Sequence, residues 1–157
     1  MKESDHMLKH FKTQELVDEY TFKTFGEHSL EFFNPKALEA LDNLWEFLNR
    51  IQKCSVVVNN WMWGGKLQWR GFRTLEKAIQ LKAPKSEHRF EPGIHLANAF
   101  DCSMTSFTAQ EARELVQEHK NDPLLENITR MESLVSWFHF DLKPLRANQS
   151  RIYLFKG

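Results

Sequence analysis

Hydrophobic positions along this chain fall into two rhythms. In "NPKALEALDNLWEFLNRI", Leu38, Leu41, Leu44, Trp45 and Leu48 recur at helical spacing, which predicts an amphipathic helix with one face turned to a core. Asn34 stands at the cap position and Pro35 suits the first turn. A second helix is predicted in "TAQEARELVQEHK", with Thr108 as N-cap and Glu111 completing a capping box. A shorter helix is expected in "KTQELVDEY", opened by Thr13, with Phe11 before it and Leu16 and Val17 facing inward.

The second rhythm has period two. "SWFHFDL" read as a strand sets Trp137, His139 and Asp141 on one face and Phe138, Phe140 and Leu142 on the other. "ANAFDCSM" likewise separates Ala99, Asp101 and Ser103 from Phe100, Cys102 and Met104. "CSVVVNN" is short and β-branched, which favours a buried strand, and the tail "SRIYLFKG" reads as a last strand. Between them, "WMWGGKLQWRGFRT" is too rich in glycine and aromatic residues for a regular element, so a long structured loop is expected there. Trp61, Trp63 and Trp69 around the Gly64-Gly65 pair read first as packing and second as the floor of a substrate groove.

The 157 residues, 41% hydrophobic and 27% charged, fit one globular domain. Lys plus Arg equals Asp plus Glu at 21 each, so no strong overall field draws the chain to nucleic acid or to an anionic membrane, and any binding site must be local. Cys54 and Cys102 match no zinc or redox spacing and are expected as reduced thiols. The amino end lacks the apolar stretch of a secretory signal and no long apolar run follows, so a chain made in the cytoplasm, without membrane insertion, is expected; a monomer is expected as well.

Two faces of these strands carry candidate chemistry. If the strands lie side by side, Asp101 and His139 point at one spot, and a histidine from His88 or His95 would complete the open three-ligand arrangement of a catalytic zinc site. The alternative is that these are half-buried polar residues on a sheet face.

"SEH", then "AFD", then "WFHFD", in that order, resemble the zinc D-alanyl-D-alanine carboxypeptidase and L-alanyl-D-glutamate endopeptidase family, whose fold is shared with Hedgehog signalling domains. The resemblance sets Ser86 and His88, Ala99 and Asp101, and Trp137 and His139 on the family's ligand motifs, and so implies zinc held by His88, Asp101 and His139. "HFKTQELV" and "VVVNNWMWGGKLQWRGFRT" look like the small phage-type members, in which an arginine precedes the first ligand; here that is Arg73, with Arg70 close by. The implied fold class is α+β: a single domain over residues 1–157, with a helical part over 1–50 and a sheet and metal-site part over 55–157. A small antiparallel sheet would carry the site and pack against several helices.

This chain departs from the family pattern twice. His88 lies thirteen positions before Asp101, a longer spacing than the family's, so "EPGIHL" looks like an insertion that makes His95 an alternative ligand. Many members carry a glutamate three residues before the last histidine, where this chain has Ser136; the phage-type pattern resembles "ITRMES" and implies Glu132 as general base. Asp141 is the reserve base, or else an acceptor that orients a ligand histidine.

The resemblance implies a zinc peptidase that hydrolyses peptidoglycan stem peptides, either as a D,D-carboxypeptidase or as an endolysin-like endopeptidase freed by phage lysis. Arg73 would bind a substrate carboxylate or the developing oxyanion. A zinc-containing binding or virion-structural module of the same fold is the alternative, and a metal-free phage structural protein a third. His6, His10, His28 and His119 are expected as surface histidines.

Overall fold

The computed structural model of the protein describes residues 8–157. The first expected helix is divided. Thr13–Glu15 form a 3-10 turn, and helix α1 (Glu19–Phe25) starts at Asp18, whose carboxylate accepts from the Thr21 N–H at 3.1 Å. Asp18 supplies the extended backbone and the acceptor that open a helix, whereas Thr13 is buried and donates to Glu27. Leu16 and Val17 lie between the two pieces and are fully buried.

Helix α2 (Pro35–Ile51) follows its predicted pattern. Asn34 Oδ1 accepts from the Lys36 N–H at 3.0 Å, and Leu38, Leu41, Leu44 and Leu48 are buried, with Trp45 half-buried beside them. The region expected as a loop holds a 3-10 turn at Trp61–Trp63 and ends in a short strand and in α3 (Leu75–Gln80), which Thr74 caps. In α4 (Ala109–Glu118) both arms of the capping box form: Thr108 Oγ1 accepts from Glu111 at 3.0 Å and Glu111 returns the bond at 2.9 Å.

The strands are β1 (Val56–Val57), β2 (Arg73–Thr74), β3 (Arg89–Phe90), β4 (Ala99–Met104), β5 (Arg130–Ser133), β6 (Phe138–Asp141) and β7 (Tyr153–Lys156). Five of them form one sheet in the order β1-β4-β6-β5-β7, and β2 and β3 pair separately. Its pairs are antiparallel except β5 with β7. The sheet is therefore mixed, because the chain leaves β6, passes β5 and returns along its far edge in the same direction as β5.

The inner face of the sheet presents Phe100, Cys102, Met131, Phe138 and Phe140, all fully buried, in one core with the apolar stripe of α2. Phe33 stacks on Phe100 with ring centroids 5.4 Å apart. Withdrawing a side chain of this size from water contributes roughly 1.5–3 kcal/mol each, so register on this face is strongly held. The opposite face then receives Asp101, His139, Asp141, Arg130 and Glu132 by alternation. Cys54 and Cys102 are free and buried. Among the described residues no helix is long and apolar enough to cross a membrane.

Candidate metal centre

Strands β4 and β6 pair so that Asp101 stands directly opposite His139. Their side chains meet: His139 Nδ1 lies 2.8 Å from Asp101 Oδ1. His88 arrives from the segment before β3, with Nε2 3.3 Å from Asp101 Oδ2. One donor atom from each of His88, Asp101 and His139 lies within 4.8 Å of the others, and all three residues are buried. This group could hold a metal ion.

The nitrogens that face away from the cluster are the informative ones. His88 Nδ1 donates to the Gly71 carbonyl at 2.8 Å, which leaves Nε2 as a lone pair aimed at the cluster. His139 Nε2 donates to Asp141 Oδ2 at 2.9 Å and turns Nδ1 inward. Anchoring of the far N–H by a carbonyl or carboxylate is how proteins orient metal-ligating imidazoles. The donor set of two imidazoles and one carboxylate suits a divalent transition metal with a coordination position left open.

Electrostatics follow from this crowding. Burial opposes the charge on Asp101, but facing His88 and the hydrogen bond from His139 outweigh it and hold the carboxyl far below its usual range. Burial also disfavours a charged His139, yet hydrogen bonds to Asp101 and Asp141 lift its pKa to about 9. The pKa of His88 is pushed down, chiefly by burial, against the opposing pull of Asp101. Without metal, a proton on His139 thus ties the two carboxylates together.

Gly71 is the residue that the strand and helix patterns do not reveal. Its neighbour Phe72 donates to the Leu16 carbonyl at 3.0 Å, and a methyl group on Gly71 would collide with that same oxygen. Only glycine lets the loop pass this close and deliver its carbonyl to His88. One residue earlier, the Arg70 carbonyl accepts from the Asp101 N–H at 2.7 Å. The glycine- and tryptophan-rich loop therefore positions two of the three donors.

The chain matches no family model, no curated protein and no solved structure. The functional reading therefore rests on the residues and their geometry.

Of the two candidate first histidines, the fold brings His88 to the cluster and turns His95 away. His95 Nδ1 donates to the Arg89 carbonyl at 2.8 Å, and its Nε2 lies 3.4 Å from Glu87. The segment around Pro92 and Gly93 forms its own small turn, closed by a bridge between Glu91 and His95. Both oxygens of Asp141 are occupied: Arg130 donates to them at 2.9 and 2.8 Å, with His139 and the Lys143 N–H adding to the pair. Held down to about 2 against the effect of burial, chiefly by its bond from His139, Asp141 is an orienting acceptor.

Glu132 follows buried Met131 on β5 and so faces the same side of the sheet as His139; it is half-buried, with its carboxylate against Gly157. Arg73 sits beside the cluster, Nη2 3.5 Å from Asp101 Oδ2 and Nε donating to the Trp69 carbonyl at 2.7 Å. Burial lowers its pKa, opposed by Asp101 and Glu132, so both carboxylates act on this guanidinium. Ser136 is exposed just before β6.

The aromatic loop residues divide. Trp61 donates to the Val17 carbonyl at 2.8 Å, Trp69 lies under the Lys77 ammonium at 5.2 Å, and Trp63 is 63% exposed. His28 and His119 are exposed, whereas His10 is half-buried, stacked on Trp45 at 3.7 Å with its Nε2 3.4 Å from Glu46. His6 lies outside the described residues.

Arg113 on α4 is a further organising residue that its helix pattern does not signal. Its buried guanidinium donates to the carbonyls of Val135 and Trp137 at 3.1 Å and of Glu132 at 3.4 Å, and to Gln110. It clamps the turn between β5 and β6, where Leu134 takes a positive φ of 62°.

Proposed function

We propose that the protein is a zinc peptidase acting on peptidoglycan stem peptides, with His88, Asp101 and His139 as zinc ligands. The observation that carries this reading is the tethering of both histidines through their outer nitrogens while three donors converge. When bound, zinc supplies positive charge that acidifies an attacking water and polarises a carbonyl. The order of "SEH", "AFD" and "WFHFD" along the chain supports the cell-wall substrate.

In this reading the chain's own groups do the following. Glu132 takes one proton from the attacking water as its oxygen bonds to the scissile carbonyl carbon. Breakage of the C–N bond releases an amine, to which Glu132 returns that proton. Arg73, flanked by Asp101 and Glu132, faces the oxygen on which charge develops. Asp141 and Arg130 keep His139 in one orientation.

The test measures hydrolysis of a synthetic stem peptide by the purified chain, with metal analysis alongside because the same donors also suit ferrous iron. Chelation should abolish turnover and zinc should restore it. Glu132→Gln should lower kcat by about 10²–10⁴ while zinc stays bound. Turnover indifferent to chelation would overturn the proposal. The second reading, a zinc-containing binding or virion-structural module, is supported by Ser136 where many family members carry a glutamate; tight zinc binding with no hydrolysis would favour it.

A further inference from the structure

The sheet ends at β7, an edge strand joined to the rest of the sheet through β5 alone. A strand in that place has one row of backbone partners instead of two, so its side-chain contacts decide how firmly it docks. The register sets Tyr153 beside Arg130 and Phe155 beside Glu132, and alternation turns both aromatic rings to the face that carries Asp101 and His139.

Phe155, half-buried, makes two contacts there. The Arg130 guanidinium carbon lies 3.9 Å from the centre of its ring, within reach of a cation–π interaction. The imidazole of His139 stands nearly perpendicular to the same ring, at 86° with centroids 5.5 Å apart. Arg130 in turn grips both oxygens of Asp141, and Asp141 accepts from His139. Phe155, Arg130, Asp141 and His139 thus close a circuit in which each group touches the next. Asp141 holds His139 at one nitrogen and leaves the imidazole free to rock about that bond. An aromatic wall against the imidazole, backed by the guanidinium, removes that freedom.

We propose that Phe155 is a positioning residue for the metal centre, and that docking of β7 and metal binding at His88, Asp101 and His139 favour one another through it. The proposal rests on the metal ligands of the peptidase reading and not on which bond is cleaved. Coupling between two equilibria is reciprocal: whatever factor the docked strand adds to metal affinity, the metal returns to the docking of the strand. A side chain that only filled space would alter fold stability while leaving the metal affinity of the folded chain unchanged.

The experiment titrates zinc into the purified full chain against a chromophoric chelator, for the parent, Phe155→Leu and Phe155→Tyr. Leucine keeps an apolar side chain on the strand without a π face, whereas tyrosine keeps the ring. In parallel, hydrogen exchange is followed with and without zinc at the Tyr153 amide, which donates to the Thr129 carbonyl at 2.8 Å and so reports on the docking of β7. Phe155→Leu should weaken zinc binding roughly three- to thirtyfold, the span from an exposed to a desolvated cation–π contact. Phe155→Tyr should bind zinc as the parent does. Zinc should slow exchange of the Tyr153 amide in the parent and in Phe155→Tyr, and slow it less in Phe155→Leu.

Equal zinc affinity in the parent and in a folded Phe155→Leu chain overturns the inference and leaves the metal ligands standing, as does a Tyr153 amide whose exchange zinc leaves unchanged. Should Phe155→Leu not fold, Arg130→Lys takes its place, because it keeps a charge beside Asp141 but loses the planar stack on the ring; undiminished protection of Tyr153 by zinc in that chain also overturns the inference. A parent that binds no zinc sinks the metal reading and this inference together. Phe155-dependent zinc binding without hydrolysis of any stem peptide sinks the peptidase reading and leaves the role of Phe155 in place.

Discussion

His139 donates through Nε2 to Asp141 at 2.9 Å, and Asp141 is in turn gripped by both arms of the Arg130 guanidinium. The carboxylate is fully buried, so no water competes for it. Asp141→Asn keeps the shape but loses the charge that Arg130 and His139 share. It should weaken metal binding about 10–100-fold, the range found for partners of ligating histidines. Competition titration with a chromophoric chelator measures it; an unchanged affinity would show that His139 is not oriented through this bond.

Loss of a ligand should cost more. His88→Ala, Asp101→Ala and His139→Ala should each weaken metal binding beyond the Asp141→Asn effect, read by the same titration. In metal-free protein, Asp101→Ala also strips the carboxylate from between His88, His139 and Arg73. Breaking a buried ion pair costs about 3–5 kcal/mol, so its denaturant midpoint should fall well below that of the metal-free parent.

The raised pKa of His139 gives metal binding and stability opposite dependences on pH. A metal must displace the Nδ1 proton, so apparent affinity should climb about tenfold per pH unit from neutrality and level off near 9. Stability of the metal-free chain follows the other sign. A folded-state value of about 9 above the ordinary 6.5 means that the contribution of His139 is complete below about pH 6.5 and is lost as pH rises through 9. Thermal melts of chelator-treated protein between pH 6 and 9.5 should show that decline, and zinc should reverse it.

Arg113 holds the turn that leads from β5, which carries Glu132, to β6. Arg113→Ala leaves the part-buried Val135 and Trp137 carbonyls without their donor and should destabilise the fold by about 1–2 kcal/mol, the low end of the ~1–3 kcal/mol for a buried polar group left unpaired. Arg113→Lys should recover part of that loss. Chemical denaturation of the three proteins tests the order.

Where a local rule governs, sequence and structure agree. The helical spacing of Leu38, Leu41, Leu44 and Leu48 and the box of Thr108 with Glu111 reappear as α2 and α4. The alternation in "AFDCSM" and "FHFD" places Phe100 and Phe138 in the core, with Asp101 opposite His139 on the other face. Near Thr13 the pattern misled, since Asp18 outcompetes it as a cap and the buried Thr13 hydroxyl goes to Glu27. The parallel pairing of β7 also lay beyond reach, because strand direction in a sheet depends on where the chain returns.

By itself the sequence determined which residues alternate, which repeat every third or fourth place, and that Asp101 and His139 share one spot with either His88 or His95 as a third candidate, because backbone periodicity dictates which way a side chain leaves its own segment. Only the tertiary structure decided between His88 and His95, turned Asp141 into an orienting acceptor, and brought the Gly71 carbonyl and the Arg113 guanidinium to bear. Those outcomes depend on which backbone oxygen or charge from a distant segment lies within about 3 Å. That proximity is created by packing and register, and no spacing along the chain encodes it.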